Sequence, residues 1–410
     1  MLRLPDPQHA TSYLLGPFVK HPGNPILAPQ GSTWEAKDVF NPAAVVKDGR
    51  VYLLYRAEDH TGPGQWNGTS RIGLAVSDDG IHFQRYPDPV LEPTEPYEWP
   101  GGCEDPRLTC IDGRYFLTYT AYDGASARLC LATSTDLVRW EKHGVLFPDW
   151  DGGTGRVWSK SGAICPEKIN GRYVMYFGDT SIWVATSEDG IRWEPEPEPV
   201  LQVRPEADAF DTLLVEPGPA PLVTDRGILL VYNAAHRLAD AERVRRRART
   251  GATGTVSGAA VAAAVTPAVA AGHGPGASAW NHGTAGAAAT GGQAGTAPGT
   301  ARRADAAGAA GSSAGSRGPE GEAAGTVYGG PSSSGYVRYA AGQALFDLRD
   351  PRKLIWRSTH PFFEPETDDE IRGQVDHVVF VEGLVEHRGT WFLYYGMADS
   401  RIGVATYRPA

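Results

Sequence analysis

The chain has no apolar run long enough to span a bilayer, and its opening, Met1-Leu2-Arg3-Leu4-Pro5-Asp6-Pro7, lacks the apolar stretch of a secretion signal. A soluble, unexported, cytoplasmic protein is expected. Cysteine is scarce: four in 410 residues, at positions 103, 110, 130 and 165, with neither a metal-ligand spacing nor the density of a disulfide scaffold. Reduced thiols are expected, with no metal and no cofactor. A surplus of cations is missing too. The formal net charge of −10 argues against nucleic acid or an anionic membrane as partner, because both need clustered basic surface. A neutral polar ligand fits better. One stretch lacks nearly everything a core requires: residues 239–335 hold no Ile, Leu, Phe, Met or Lys and are mostly Ala, Gly, Ser and Thr behind an Arg-rich opening, Arg243-Val244-Arg245-Arg246-Arg247. Such a segment cannot bury enough apolar surface to offset its ordering entropy, so 238–335 is expected to be a disordered insertion.

What remains repeats. Asn41–Val46, a turn at Lys47-Asp48-Gly49-Arg50, Val51–Arg56, Ile72–Ser77, the turn Asp78-Asp79-Gly80 and a closing Pro89-Val90-Leu91 form one unit of four strands. Asp105 to Pro148 repeats it, and a third copy closes at Pro199-Val200-Leu201. The serine of the second turn recurs at Ser77, Ser134 and Ser187, 57 and then 53 residues apart. A fourth copy starts at Glu216-Pro217-Gly218, is interrupted by the insertion, and ends at Pro361–Pro365. The fifth runs out after Ile402–Thr406, and its missing fourth strand is available at the other end, in Asn24-Pro25-Ile26-Leu27-Ala28-Pro29. Four-stranded units that close head to tail predict an all-β, five-bladed β-propeller sealed by pairing of the terminal segments, one catalytic domain made of 15–237 and 336–410. The insertion falls between the second and third strands of blade four, which places its emergence on the face that carries the starts of the first strands.

In such a fold the first strand of every blade lines the central channel. The positions that converge there are Asn41, Glu104, Asp105, Arg107, Lys160, Glu167, Glu216, Asp376 and His377, with Arg56, Glu58, Asp59, Asp123, Asp179, Asn233, His236 and Asp399 from the ends of the second strands. Crowded carboxylates repel and raise one another's pKa, so a ring of them has little structural reason to exist. Paired carboxylates in an aromatic-rimmed pocket suit glycosidic bond cleavage, one acid for the leaving oxygen and one base or anion on the opposite face.

Asn41-Pro42, Tyr55-Arg56-Ala57-Glu58-Asp59, Glu104-Asp105-Pro106-Arg107, Tyr119–Gly124, Pro166–Gly171 and Tyr394–Asp399, in this order, resemble glycoside hydrolase family 130. The resemblance spans 15–237 and 336–408. It implies an inverting enzyme acting on β-linked mannosides in mannose-containing oligosaccharides. In the family the aspartate matching Asp105 is the general acid, reaching the glycosidic oxygen through a sugar hydroxyl, and positions matching Asn41, Arg56, Glu104 and Asp399 hold the cleaved mannose. The family contains phosphorylases and hydrolases. Arg128 and Lys160 lie where members place phosphate-binding cations, but the His-Arg pair that phosphorylases commonly carry is replaced by Tyr176-Phe177-Gly178-Asp179-Thr180. Trp158–Ile164 and Leu214–Gly218 look more like the hydrolytic β-1,2-mannosidase branch. Hydrolysis is therefore expected, with Glu167 and Glu216 as candidate bases, and phosphorolysis with inorganic phosphate is the alternative. Oligomeric state is not legible.

Overall fold

Short antiparallel meanders follow from the turn chemistry. Asp48-Gly49, Asp112-Gly113, Asn170-Gly171 and Arg388-Gly389 all have positive φ at both residues, the backbone twist that lets a two-residue turn join strands without splaying them. The second turn repeats as well: Ser77, Ser134 and Ser187 each accept a backbone N–H three residues on, and Asp79, Asp136 and Asp189 accept the next ones.

The computed structural model describes residues 2–10, 12–60, 68–153, 155–238 and 337–409. Among the described residues the protein is all-β, with helix confined to single turns such as Asp368–Ile371. The first repeat is Asp38–Lys47, Arg50–Glu58 and Ser70–Ser77, with Gln84–Arg85 outermost; the second is Gly102–Ile111, Arg114–Tyr122, Ala127–Ser134 and Glu141–Val145. One parallel bridge, Ser70 with Gly102, joins these two into a single sheet. The third is Ala163–Ile164, Tyr173–Phe177, Ser181–Ser187 and Glu194–Pro195. The fourth has Leu214–Pro217, Gly227–Arg237, Val337–Phe346 and Leu354–Arg357. Its two central strands pair without a break from Ile228 with Phe346 to Arg237 with Val337. The insertion thus leaves from the tip of a long hairpin whose end is level with the start of the repeat's first strand, where Leu214 pairs with Ala235. Its expected disorder lies outside the described residues.

The fifth repeat, Val379–His387, Thr390–Met397 and Arg401–Tyr407, takes its outer strand from the N-terminal segment, as expected. The ladder strand is Val19–Lys20, paired with Ala405 and Thr406; the closing pattern around Leu27 adds only a bridge to Ile402. The same division recurs elsewhere. Leu91 bridges Ile72 beyond Gln84–Arg85, Leu201 pairs with Ile182 beyond Glu194–Pro195, and Phe363 bridges Ala341 beyond Leu354–Arg357. The outer strand is two short pieces separated by a kink, and the sequence pattern marks the second.

Five apolar clusters lie between the repeats, first with second, second with third, third with fourth, fourth with fifth, and fifth with first, the last holding Leu53 and Tyr55 together with Phe392 and Ile402. Each repeat thus buries both faces against a neighbour. Residues before 15 take part, since Leu4 and Leu14 pack in the cluster of the fourth and fifth repeats.

A buried polar staple recurs inside four repeats. Tyr55, Tyr119, Tyr232 and Tyr395 each donate their hydroxyl to a buried carboxylate, Glu35, Glu98, Asp211 or Glu370, at 2.8–3.0 Å. Each carboxylate also pairs with a cation of the outer strand: Arg85, Lys142, Arg357 or Lys20. A charge this dry persists only when paired and hydrogen-bonded. In the fifth repeat the cation is Lys20, so the staple ties the N-terminal strand to the C-terminal sheet. The third repeat departs from the pattern, Tyr176 donating to the Pro351 carbonyl at 2.8 Å.

Candidate active site

Three first strands break register at corresponding places, between Phe40 and Pro42, between Glu104 and Arg107, and between Val381 and Gly383. Such bulges re-aim a side chain away from the alternation of the strand. Asn41 and Asp105 sit in them with φ of 48° and 47°, a left-handed conformation that Asn and Asp tolerate better than other non-glycine residues. Gly396 is needed opposite, because a Cβ there would stand 2.4 Å from Asn41 Oδ1.

The bulged residues meet groups from the other repeats. Asp105 is 3% exposed; its Oδ1 accepts from Asn41 Nδ2 at 2.9 Å and Arg56 Nη1 at 3.0 Å, and Lys160 Nζ lies 3.5 Å from its Oδ2. Arg56 Nη2 also donates to Glu58 at 2.7 Å and Glu104 at 2.9 Å, and Arg56 Nε to Ser70 Oγ at 3.0 Å. Lys37 pairs with the other Glu58 oxygen at 2.7 Å. Deeper in, Glu216 Oε1 lies 3.5 Å from Lys160 and 3.3 Å from Arg107 Nη2, and it accepts a hydrogen bond from Ser161 Oγ. Arg107 is locked by the Asp105 and Pro217 carbonyls and faces Glu382 with Nη1 at 2.9 Å. Side chains from five repeats converge on one centre.

Seven carboxylates of this connected cluster, Asp38, Glu58, Glu104, Asp105, Glu216, Glu382 and Asp399, face four cations, Lys37, Arg56, Arg107 and Lys160. The surplus must hold protons. Burial pushes Glu104 up to about 7, aided by the neighbouring Asp105 charge and opposed by Arg56. Burial raises Asp399 to about 7 and Asp38 to about 6. Glu216 is raised, and Glu382 is raised well above the carboxylate range, both by burial against the pull of Arg107 and Lys160. Asp105 goes the other way: burial would raise it, but Arg56, Lys160, Arg107 and the Asn41 bond outweigh that and keep it ionised. Glu58 is likewise lowered, Arg56 and Lys37 overcoming its burial.

Of the residues singled out in the sequence, Asn41, Arg56, Glu104, Asp105, Arg107, Lys160, Glu216 and Asp399 come together here. Asp179 accepts from Trp158 Nε1 at 2.9 Å, and its charge is felt by Glu216. Asp59 is turned to Arg71 at 2.7 Å. Four others lie apart from this cluster. Glu167 is exposed, because Ala163–Ile164 is so short that Glu167 falls past its far end in the turn toward Tyr173. Arg128, near the start of Ala127–Ser134, pairs with Asp123 at 2.5 Å. Asp376 is exposed and accepts from Gly373 N, and the His377 backbone donates to the Ile371 carbonyl and accepts from Tyr339 N. The fifth repeat presents Glu382 instead, which the sequence reading missed. Its signal was there: Glu382 is the lone charge in Val378–Val385.

Among the described residues no helix is long and apolar enough to cross a membrane, and no cluster of His, Cys, Asp and Glu has metal-binding geometry.

The family model of glycoside hydrolase family 130, described as β-1,4-mannooligosaccharide phosphorylase, matches residues 20–245 and 325–409. A 1,2-β-oligomannan phosphorylase of Thermoanaerobacter sp. (strain X514) is 30% identical over 93% of this chain and 94% of its own. The solved structure of a glycosyl hydrolase from Bacteroides ovatus is 31% identical with a TM-score of 0.68, over 99% of this chain and 97% of that one. Another solved structure, 31% identical with a TM-score of 0.69 over 100% and 97%, was reported with the finding that the GH130 family of mannoside phosphorylases contains glycoside hydrolases that target β-1,2 mannosidic linkages in Candida mannan.

Proposed function

The chain belongs to glycoside hydrolase family 130, and from that premise we propose that it cleaves β-linked mannosides, β-1,2 linkages foremost, and passes the mannosyl group to inorganic phosphate. The observation that carries the cleavage is the Asp105 carboxylate, fixed at the convergence of the repeats by Asn41, Arg56 and Lys160, with the buried acid Glu216 across Lys160. Asp105 gives a proton to the departing glycosidic oxygen as the bond from the anomeric carbon breaks, and the acceptor adds to that carbon from the opposite face. Asp105 is ionised in the free site, so the proton it gives must first pass to it from a neighbouring acid as substrate binds. Glu104 and Asp399, pushed up to about 7, are the neighbouring carboxyls that hold protons near neutrality.

The relative at 30% identity favours phosphate as the acceptor over the water expected from the sequence. Lys160 and Arg107 are the cations that reach the Glu216 side of Asp105 and would meet it. One observation favours the second reading, hydrolysis: Glu216 is a buried carboxylate held by Ser161, placed to take a proton from water, and phosphate would be repelled by it. The architecture belongs to the same proposal. Five repeats sharing five clusters in a cycle are read as a five-bladed β-propeller, with 15–237 and 336–410 as its single domain. Incubation with β-1,2-mannobiose, with and without phosphate, tests the function. Phosphate-dependent mannose 1-phosphate supports the first reading, phosphate-independent mannose release the second, and no turnover of any β-mannoside refutes both.

A further inference from the structure

We infer that Glu382 is a positioning residue of the reaction, which by sharing Arg107 with Glu216 sets how strongly that guanidinium holds the Glu216 carboxylate. The inference rests on the reading that cleavage takes place at Asp105 and Glu216. Arg107 stands between two carboxylates, 3.3 Å from Glu216 Oε1 and 2.9 Å from Glu382 Oε1, with side-chain exposures of 1%, 2% and 0%. The same two nitrogens also donate to backbone carbonyls, Nη1 to Asp105 and Nη2 to Pro217, which fixes the guanidinium between the two acids. The contact with Glu382 is close without hydrogen-bond geometry, and among the described residues neither Glu382 oxygen has a hydrogen-bond partner. A fold seldom leaves a carboxyl group this dry and unsatisfied for stability alone, since replacing it with an apolar residue would remove the cost.

The charged groups that act most on Glu382 come from other elements: Arg107 and Asp105 on Gly102–Ile111, Glu216 on Leu214–Pro217, and Lys160 ahead of Ala163–Ile164. Burial holds Glu382 as the neutral acid against the pull of Arg107, and the Asp105 charge works the same way as burial. In that form it leaves the Arg107 charge to Glu216 and the Asp105 end of the strand. Ionised, it would draw Arg107 off, and Glu216 would lose its strongest partner beside Lys160. Because the two acids share one cation, a charge on Glu216 raises Glu382 further.

The test is the pH profile of kcat/KM for Glu382→Gln with β-1,2-mannobiose. Gln keeps the shape and fixes the neutral form. The alkaline limb of the profile is expected to move up by about one pH unit or more. A profile that superimposes on wild type, or a loss uniform across pH, overturns the inference. The infrared carbonyl band of protonated carboxylic acids gives a second readout that needs no turnover. Wild type at neutral pH should show a component that Glu382→Gln removes and that Glu382→Asp, which withdraws the carboxyl from Arg107, shifts. A band untouched by either variant is evidence against the neutral acid. Absence of β-mannoside turnover in wild type would refute the proposed function and leave the infrared result to be judged by itself.

Discussion

Asp105→Asn separates chemistry from binding. The substitution is isosteric, and Asn Oδ1 can still accept from Asn41 Nδ2 and Arg56 Nη1, the bonds now made at 2.9 and 3.0 Å. The new amide faces Lys160, which stands at 3.5 Å from Oδ2 and keeps Glu216 as a partner. Arg56 keeps Glu58 and Glu104. No cation is stranded, so the thermal midpoint should stay within about 3 °C of wild type, the equivalent of roughly 1 kcal/mol. Loss of a general acid lowers the rate by about 10²–10⁴-fold. The assay is release of mannose and mannose 1-phosphate from β-1,2-mannobiose, set beside a nitrophenyl β-mannoside whose leaving group departs without protonation. The general-acid role requires a large loss on mannobiose and a much smaller one on the nitrophenyl substrate. Equal losses on both would mean that Asp105 binds sugar and gives no proton, and retention of mannobiose turnover would remove it from the mechanism.

Lys20→Met should lower stability by about 3 kcal/mol, because it leaves Glu370, with a fully buried side chain, without its cation although Tyr395 and two backbone N–H groups still serve it; Lys20→Met/Glu370→Gln should recover part of that in urea unfolding, and an unchanged midpoint would contradict the staple. Gly396→Ala places a Cβ against Asn41 and should cut kcat/KM about tenfold or more with little change in the fold reported by circular dichroism. For stability against pH, Glu104 and Asp399 are raised to about 7 in the folded protein, so it binds more protons than the unfolded chain between about pH 4 and 7. Their contribution is complete below the unfolded pKa and is lost as pH rises through 7. The drop from pH 6 to pH 8 should be about 1–2 kcal/mol, with Asp399 discounted because it is half-buried; a midpoint higher at pH 8 than at pH 6 would contradict this.

The repeat was legible because its signals are local. Asp-Gly turns, the serine at Ser77, Ser134 and Ser187, and alternating strands depend on neighbours in sequence, and they located the strands and the supply of the last one from the N-terminus. Asp105, Arg56 and Asn41 were legible for a related reason, since each falls at a fixed position of its repeat. Glu167, Asp376 and His377 fall outside the buried cluster because first strands differ in length. Ala163–Ile164 spans two residues where Gly102–Ile111 spans ten, so counting from a motif runs past the convergence point in one repeat and stops short of it in another. The staples were illegible for the opposite reason. Lys20 with Glu370 and Arg357 with Asp211 join residues far apart in the chain, and single sequence patterns carry no such pairing.

The charge balance of the site constrains the acceptor in a way that can be measured. Phosphate would enter a cluster in which carboxylates already outnumber cations, and its natural partners, Lys160 and Arg107, are engaged by Glu216, Asp105 and Glu382. An added anion raises the pKa of every carboxyl near it. Glu216, already pushed up by burial, and Glu104, at about 7, would then take up protons as phosphate binds. A phosphate site built of cations alone behaves differently, lowering the pKa of the bound ion and releasing protons. Calorimetry of phosphate binding near pH 7.5, in two buffers of different ionisation enthalpy, gives the sign directly. Proton uptake is expected if phosphate is the acceptor at Glu216, and it should vanish in Glu216→Gln if that carboxyl is its source. Net proton release would place phosphate away from the carboxylates, and no binding at millimolar phosphate would shift the reading to water, activated by Glu216.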